Sequence, residues 1–471
     1  MARRTVFGMV AGLCLAAVNA VPASAETLAE ALSNAYVTSG LLDQNRAVLR
    51  AADEDVAQAV AALRPVLSWS GNVSRNYGSA NSANPLTGDY SWAPSADVTA
   101  SANLIASLTL YQGGARRLGL EAAKEAVLAT RAALVSVEQQ VLLSAVSAFM
   151  EVRRAEETVT LRQNNVRVIG EELRAAQDRF EVGEVTRTDV ALAEARLAEA
   201  RSLLAAAEGQ LAVSRETYNA IVGNYPGALQ SPGGLPRLPG SVPDAKSQAL
   251  ATHPDMTQLR HVVAANDISV RIAEAQMQPK VELQGSWGAS DTFDSERANR
   301  GGAVALGLSG PIYQGGGLTS GVRQAIADRD ASRAQLYSTG RDVEEAVGSA
   351  YAQLRIAQAS LVSTQEQVRA ARVAFEGIRE EATLGARTTL DVLDAEQELL
   401  DARAAQISAQ VDETIAAYAV LASIGQLTAR ALGLAVPVYD PAAYYNMVRS
   451  APVKSQQGAD LDRVLRALGK N

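Results

Sequence analysis

The sequence predicts a mixed, mostly α-helical chain: a duplicated helix–β-hairpin–long helical hairpin unit with a small share of membrane-type strands. Three observations predict it. Two stretches, 95–225 and 312–436, contain no proline, so each can hold very long helices. A set of motifs recurs at a fixed offset of 202 residues. Four short segments alternate apolar and polar residues with period two, the mark of strands that are wet on one side. The chain has 471 residues, 48% hydrophobic but only 4% aromatic. That length exceeds what one compact core accommodates. Many small apolar residues with few rings suit closely packed helices.

Residues 1–25 read as a secretory signal. Arg3 and Arg4 precede an apolar run from Val6 to Val18, and Ala23-Ser24-Ala25 offers small residues for cleavage before Glu26. The run is shorter than the ~18–20 residues a spanning helix needs. Cys14 falls in this segment, and Leu13 before it is not the small residue a lipid-attachment signal wants. No other stretch reaches ~18 uninterrupted apolar residues, so no transmembrane helix is expected.

The first copy covers 26–225. Strands are expected at about 66–77, where Leu67, Trp69, Val73 and Tyr77 alternate with serines and asparagines, and at about 96–111. The turn-rich stretch from Gly78 to Pro94 between them reads as an exposed loop. Long helices follow at about 115–182 and 188–222. The first of these would extend about 100 Å. The second carries a heptad seam, Val190, Leu197, Leu204, Leu211 and Tyr218, suited to antiparallel helix packing. Gly183 fits the left-handed residue that ends a helix. Asp189 follows near the start of the next, where a carboxylate meets the positive end of the dipole.

A Pro/Gly-rich connector, 226–244, leads to the second copy, 245–435. Strands are expected at about 280–290 and 300–312, and long helices at about 318–383 and 389–432. Tyr111-Gln112-Gly113-Gly114 recurs as Tyr313-Gln314-Gly315-Gly316, and Gly183, Thr186, Asp189 and Glu194 recur as Gly385, Thr388, Asp391 and Glu396. A repeat of this length implies two pseudosymmetric halves rather than a solenoid. His253 and His261, on an expected helix from about Asp244, read as ordinary packing or surface residues. The segment 436–471 is expected to be partly disordered, with a short amphipathic pattern at Leu461, Val464, Leu465 and Leu468.

Four strands cannot close a membrane barrel, because an open edge in lipid leaves backbone groups unpaired. Three chains would supply twelve strands, and the attached helices would form a second tube by the same symmetry. A passive outer-membrane porin and a periplasmic coiled-coil structural protein are the alternative readings. Other classes are excluded. One cysteine and two histidines leave no basis for a metal centre, and no cofactor is expected. No phosphate loop or nucleophile constellation points to an enzyme. A net charge of −8 argues against a nucleic-acid partner.

Two further stretches carry a resemblance. Leu308-Ser309-Gly310-Pro311-Ile312-Tyr313-Gln314-Gly315-Gly316 and Leu384-Gly385-Ala386-Arg387-Thr388-Thr389-Leu390-Asp391-Val392-Leu393-Asp394-Ala395 resemble the TolC family of outer-membrane export channels, across roughly 26–435. The resemblance implies a homotrimer forming a 12-stranded outer-membrane β-barrel on a long periplasmic α-helical barrel. It implies a periplasmic adaptor and an inner-membrane ABC or proton-driven transporter as partners, in protein (type I) secretion or drug efflux. It places the pore constriction at Asp391 and Asp394, three apart and so on one helix face. Arg387 is matched to a latch reaching Thr188 and Asp189. Val182, Gly183, Leu384 and Gly385 stand at the helix tips that dock the adaptor. One family feature is missing: Ala382 stands where a latch tyrosine is usual, which puts part of the closed-state brace in question.

Overall fold

The computed structural model describes residues 25–452, apart from 84 and 294–297, together with Arg463. Nearly all of the expected signal segment and the amphipathic pattern near the end lie outside the described residues. Each copy opens with two short helices: α1 (Leu28–Thr38) and α2 (Gly40–Ala61) in the first, α5 (Val242–Thr252) and α6 (Pro254–Ala275) in the second. Strands β1 (Val66–Ala83) and β2 (Tyr90–Gln112) lead to α3 (Ala115–Glu181) and α4 (Arg187–Val222). Strands β3 (Lys280–Thr292) and β4 (Ala298–Ser309) lead to α7 (Gly317–Thr383) and α8 (Thr389–Ser423). A last helix, α9, spans Pro441–Val448. Helices α3 and α7 each have 67 residues, about 100 Å of helix.

The strands form one antiparallel sheet in the order β1-β2-β3-β4. Cross-strand partners share a face. Trp69 pairs with Leu104, Leu104 with Trp287, and Leu283 with Leu306. That face is apolar along its lower half. The opposite face carries Ser68, Asn72, Ser101, Asn103 and Ser286. Among the described residues, both outer edges, on β1 and β4, have no partner strand within the chain.

The first hairpin is longer than its alternation suggested. β1 continues past residue 77 to Ala83, and β2 begins at Tyr90 instead of 96. The outer part is rich in Ser, Ala and Asn, which hides the period-two pattern. The ladder itself needs only backbone groups, and Ser79, Asn81 and Ala83 keep register with Pro94, Trp92 and Tyr90. In the second hairpin β4 stops at Ser309 rather than 312. Pro311 follows two residues on and has no N–H to donate.

The repeated Tyr-Gln-Gly-Gly motif marks the passage from sheet to helix. Gly113 and Gly114 have φ of 55° and 79°, and Gly315 and Gly316 have 59° and 83°. Two successive left-handed residues turn the strand direction onto the helix axis, and only glycine adopts them cheaply. At Gly113 a Cβ would also lie 2.8 Å from the carbonyl oxygen of Ala275.

The main core lies where the short helices wrap the sheet-proximal parts of the long ones. It joins Leu32, Leu42 and Leu49 to Leu142, Phe149 and Tyr218, and closes with Ile424 and Leu427. Within α3 one 18-residue window reaches a mean hydropathy of 1.4, and half of it is buried inside the chain. Length and apolarity alone would let it cross a membrane; here part of that surface serves as a packing seam. Helix α8 ends at Ser423, not near 432, because Gly425 turns left-handed and Gln426 donates back to Leu421.

The segment after 436, expected to be partly disordered, is ordered as far as it is described. Tyr444 donates to Glu54 at 2.6 Å, and the backbone N–H of Tyr439 donates to the Tyr36 hydroxyl at 3.2 Å. The guanidinium of Arg46 lies between the rings of Tyr36 and Tyr439, and that of Arg131 over Tyr445. Arg64 donates to the carbonyl of Ala451 at 2.8 Å. This strap ties the last described residues to α2 and α3. The helix expected from about Asp244 is broken at His253, between α5 and α6, and His261 lies on α6. His253 caps α6 by accepting from the N–H of Asp255, and His261 lies 2.7 Å from Glu125.

Candidate functional site

The free ends of the two helical hairpins are built alike. Helix α3 closes at Val182, and Gly183 follows at φ 84°; helix α7 closes at Leu384, and Gly385 follows at φ 76°. In both turns an amide donates back to the helix end, Glu184 to Arg179 and Ala386 to Glu381, each at 2.9 Å. Nothing crowds a Cβ at either glycine, so the left-handed backbone alone explains them. Val182 and Leu384 are 71% and 82% exposed. Each copy thus ends in one uncovered apolar side chain beside a glycine.

Thr186 and Thr388 then cap the returning helices. The Asp391 carboxylate accepts from the backbone N–H of Thr388 at 2.9 Å and from its hydroxyl at 2.8 Å. Asp189 accepts from Thr186 at 2.8 and 2.7 Å in the same way. Both are capping boxes with Asp in the third helical position. These bonds stabilise the ionised form. Asp391 titrates below the ordinary carboxylate range, mainly through the Thr388 backbone bond, with Arg387 adding a smaller pull. Asp189 is lowered first by the Thr186 hydroxyl and then by its backbone. The Thr-x-x-Asp spacing in both copies is the sequence signal for this role.

The two tips face each other across a cleft lined by Arg179, Asp189, Ala382, Arg387 and Thr388 among others. Arg387 and Asp189, matched to a latch, therefore share one cleft. They are not bonded to each other within the chain. Arg387 Nε donates to Glu381 at 2.8 Å, which raises the guanidinium pKa further. Thr188 is exposed and does not line the cleft. Ala382, at the position of the missing tyrosine, is buried against α8, with Phe375 and Val392 in the same cluster.

Asp391 and Asp394 line one groove together with Arg387, Gln367 and Glu398. Asp394 also bonds Arg196 on α4 at 3.1 Å, and Arg196 reaches Glu199 at 3.2 Å. Deeper in the hairpins, Glu396 is buried beside Asn165, whose side-chain nitrogen stands 3.5 Å from it. Burial pushes this carboxyl's pKa up, against the pull of Asn165 and Arg403. Arg196, Glu381 and Asn165 carried no local signal, because their partners lie on other turns or other helices.

A four-stranded sheet with one apolar face, continuous with helices of about 100 Å, defines an outer-membrane channel of the export-duct type. The chain belongs to the outer membrane efflux protein family, whose pattern matches residues 31–224 and 245–426. It is 34% identical over 429 residues to the outer membrane efflux protein BepC of Brucella suis biovar 1, covering 91% of each. It is 27% identical over 306 residues to the outer membrane protein TolC of Escherichia coli K12, covering 62% of each. The outer membrane protein VceC of Vibrio cholerae has the same fold, with a TM-score of 0.71 at 22% identity, covering 84% of this chain and 96% of that one. The TolC-type resemblance seen in the sequence is thereby established. The chain is an outer-membrane efflux channel, and its family consists of channel proteins rather than enzymes.

Proposed function

We propose that three copies of this chain form the exit duct of a tripartite export system, docking through the helix tips to a periplasmic adaptor and an inner-membrane pump. The duct transports without catalysing; the inner-membrane partner supplies the energy. The observation that carries this reading is the pair of open edges on β1 and β4. In lipid each edge requires a partner strand, and β4 of one copy beside β1 of the next provides one. Twelve strands from three chains then close the barrel.

The repeat supports the same assembly in the helices. Inside the chain α3 packs on α8, with Arg154 bonded to Asp412 at 2.5 Å and Asn165 beside Glu396. The pseudosymmetric equivalents, α7 and α4, leave Ile356, Val362, Val373 and Val213 exposed. Between copies, α7 of one would meet α4 of the next as α3 meets α8. At the far end Asp391 and Asp394 would form two rings of three carboxylates that attract cations. Arg387 and Asp189 would brace the closed tip across the cleft they share, with the exposed Thr188 beside Asp189 as a second acceptor. Val182, Gly183, Leu384 and Gly385 would be the adaptor contacts, since exposed apolar groups at a tip mark an interaction site.

Planar-bilayer recording tests the proposal. The purified protein should give a small, cation-selective conductance that multivalent cations block from the periplasmic side. Asp391→Ala/Asp394→Ala should abolish the block and weaken the selectivity. An open, unblocked pore in the unmodified protein would favour a passive porin instead.

A further inference from the structure

The apolar face of the sheet has a vertical order. Trp69, Leu104 and Trp287 lie at one level. Leucines and valines lie below them: Leu67, Leu283, Val304, Leu306 and Leu308. One step above, Gly71, Ala102 and Ala289 pair across to Arg300. Two steps further, Arg75 pairs with Val98. Arg75, Arg300 and the intervening Asp291 are the charged residues on this face among the described ones, and all three are exposed. A row of tryptophans followed by arginines is the sequence of environments at a bilayer boundary, with rings at the interface and guanidinium groups among phosphates.

The face does not end there. β3 stops at Thr292, while β1 and β2 continue as a two-stranded ribbon. On the same face the ribbon carries Tyr77, Trp92 opposite Asn81, and Tyr90 opposite Ala83. These three rings are 86%, 71% and 73% exposed. From the level of Arg75 and Val98 up to Trp92 is six residues. That is about 20 Å along the strand, or about 15 Å of height at the usual barrel tilt. A phospholipid headgroup layer is only about 5–7 Å thick on each side. Trp92 and Tyr90 therefore stand above anything a glycerophospholipid presents, while Tyr77, two residues above Arg75, lies at the level of the headgroups.

We propose that this outward face binds the phosphorylated saccharolipid of the outer leaflet, with Arg75 and Arg300 taking its phosphates and Tyr77, Tyr90 and Trp92 lying against its sugars. Two observations select this occupant over a glycerophospholipid. The charged band, spread over three successive levels from Arg300 through Asp291 to Arg75, carries two cations against one anion, which complements phosphate. Trp92 and Tyr90 rise to a height that only a headgroup built of several sugars reaches, and the flat faces of all three rings suit the C–H faces of sugar rings while their polar edges stay wet. The proposal rests on the sheet being part of an outer-membrane barrel.

The test uses the full-length protein in detergent with Trp69→Phe and Trp287→Phe, which leaves Trp92 as the one fluorescent indole. Rough lipopolysaccharide should shift its emission to the blue, and phosphatidylglycerol vesicles should not. Adding Arg75→Ser/Arg300→Ser should raise the half-saturating concentration about tenfold, the loss expected for charge-assisted phosphate contacts. Equal shifts with both lipids, or unchanged binding without the arginines, would overturn the proposal. Should the tryptophan variant not assemble, native mass spectrometry of the otherwise unchanged protein and of Arg75→Ser/Arg300→Ser, titrated with the same two lipids, decides the matter by occupancy. Recording the same preparation in a planar bilayer separates the two failures: pores without lipid preference sink this inference, whereas absence of pores sinks the barrel reading.

Discussion

The carboxylate of Asp394 lies 3.1 Å from the guanidinium of Arg196, a contact between residues 198 positions apart in the chain. A carboxylate matched to the pore constriction in the second copy is thus held by a cation from the first. The pair is more than half exposed on the aspartate side, so it is worth about 1 kcal/mol or less. Its consequence is electrostatic: in the proposed duct Arg196 would offset part of the charge that Asp394 turns to the lumen. Replacing Arg196 by Ala should strengthen block by multivalent cations, read as a lower blocking concentration in planar bilayers. An unchanged concentration would place Asp394 away from the conduction path.

The Arg387–Glu381 bond competes with any latch from Arg387 to Asp189 across the cleft. Removing Glu381 as Gln should release Arg387 for the latch and lower the open probability. Arg387→Ser should raise it. If both changes move conductance the same way, Glu381 is part of the brace rather than its competitor.

Both capping boxes should hold the tips in shape. Thr388→Ala or Thr186→Ala should each cost about 0.5–2 kcal/mol locally, seen as faster amide exchange in the first turn of α8 or α4. The sign of the pH effect follows from the lowered pKa values of Asp189 and Asp391. A carboxyl lowered in the folded state contributes stability above its unfolded value of about 3.9, and loses it as pH falls through the folded value. Tip protection should therefore be flat from pH 7 to about 5 and decline below about 4.

Asp53 has the opposite linkage. It is fully buried on α2, with Arg131 at 3.9 Å. Burial raises its pKa to about 6, against the pull of Arg131 and with a push from Glu54. The folded state then binds the proton more tightly than the unfolded chain. Its contribution is fully present below the unfolded value of about 4 and is lost as pH rises through about 6. Thermal unfolding of the solubilised protein should show that slope, and Asp53→Asn should remove it. A slope that persists in the variant would point to another group, the buried Glu396 or the half-buried Glu138, both raised by burial.

The pseudosymmetry makes a prediction between copies. Asn165 and Glu396, adjacent inside the chain, correspond at the repeat offset to Gln367 and Glu194, both exposed. Gln367→Cys/Glu194→Cys should cross-link chains into a species of trimer mass on oxidation. The native cysteine, Cys14, lies in the segment expected to be removed. Cross-linked product confined to single chains would exclude this packing of α7 on α4.

Much of the molecule is legible in its sequence. Period two in Leu67, Trp69 and Val73 gave the strand and its faces, and proline-free length with heptads gave the long helices. These are local signals, set by backbone geometry that repeats every two or 3.6 residues. The outer half of the first hairpin is not legible for the same reason: Ser79, Ala80, Asn81 and Ser82 carry no period, though their backbone pairs as well as any other. The strap from Tyr439 to Val448 leaves no local signal because its partners, Tyr36, Glu54 and Arg131, are hundreds of residues away.

The sequence alone determined the duplication, the element types, the family and the positions of the tip glycines and aspartates, since each is written in spacing or in a left-handed turn that one residue type serves. Only the tertiary structure decided which charges meet. Arg387 takes Glu381, Asp394 takes Arg196, and Glu396 is buried while its repeat mate Glu194 is exposed. The physical reason is that partner choice depends on through-space distance and desolvation. Two copies with the same local pattern differ in both, because one long-helix seam is filled inside the chain and its equivalent faces outward.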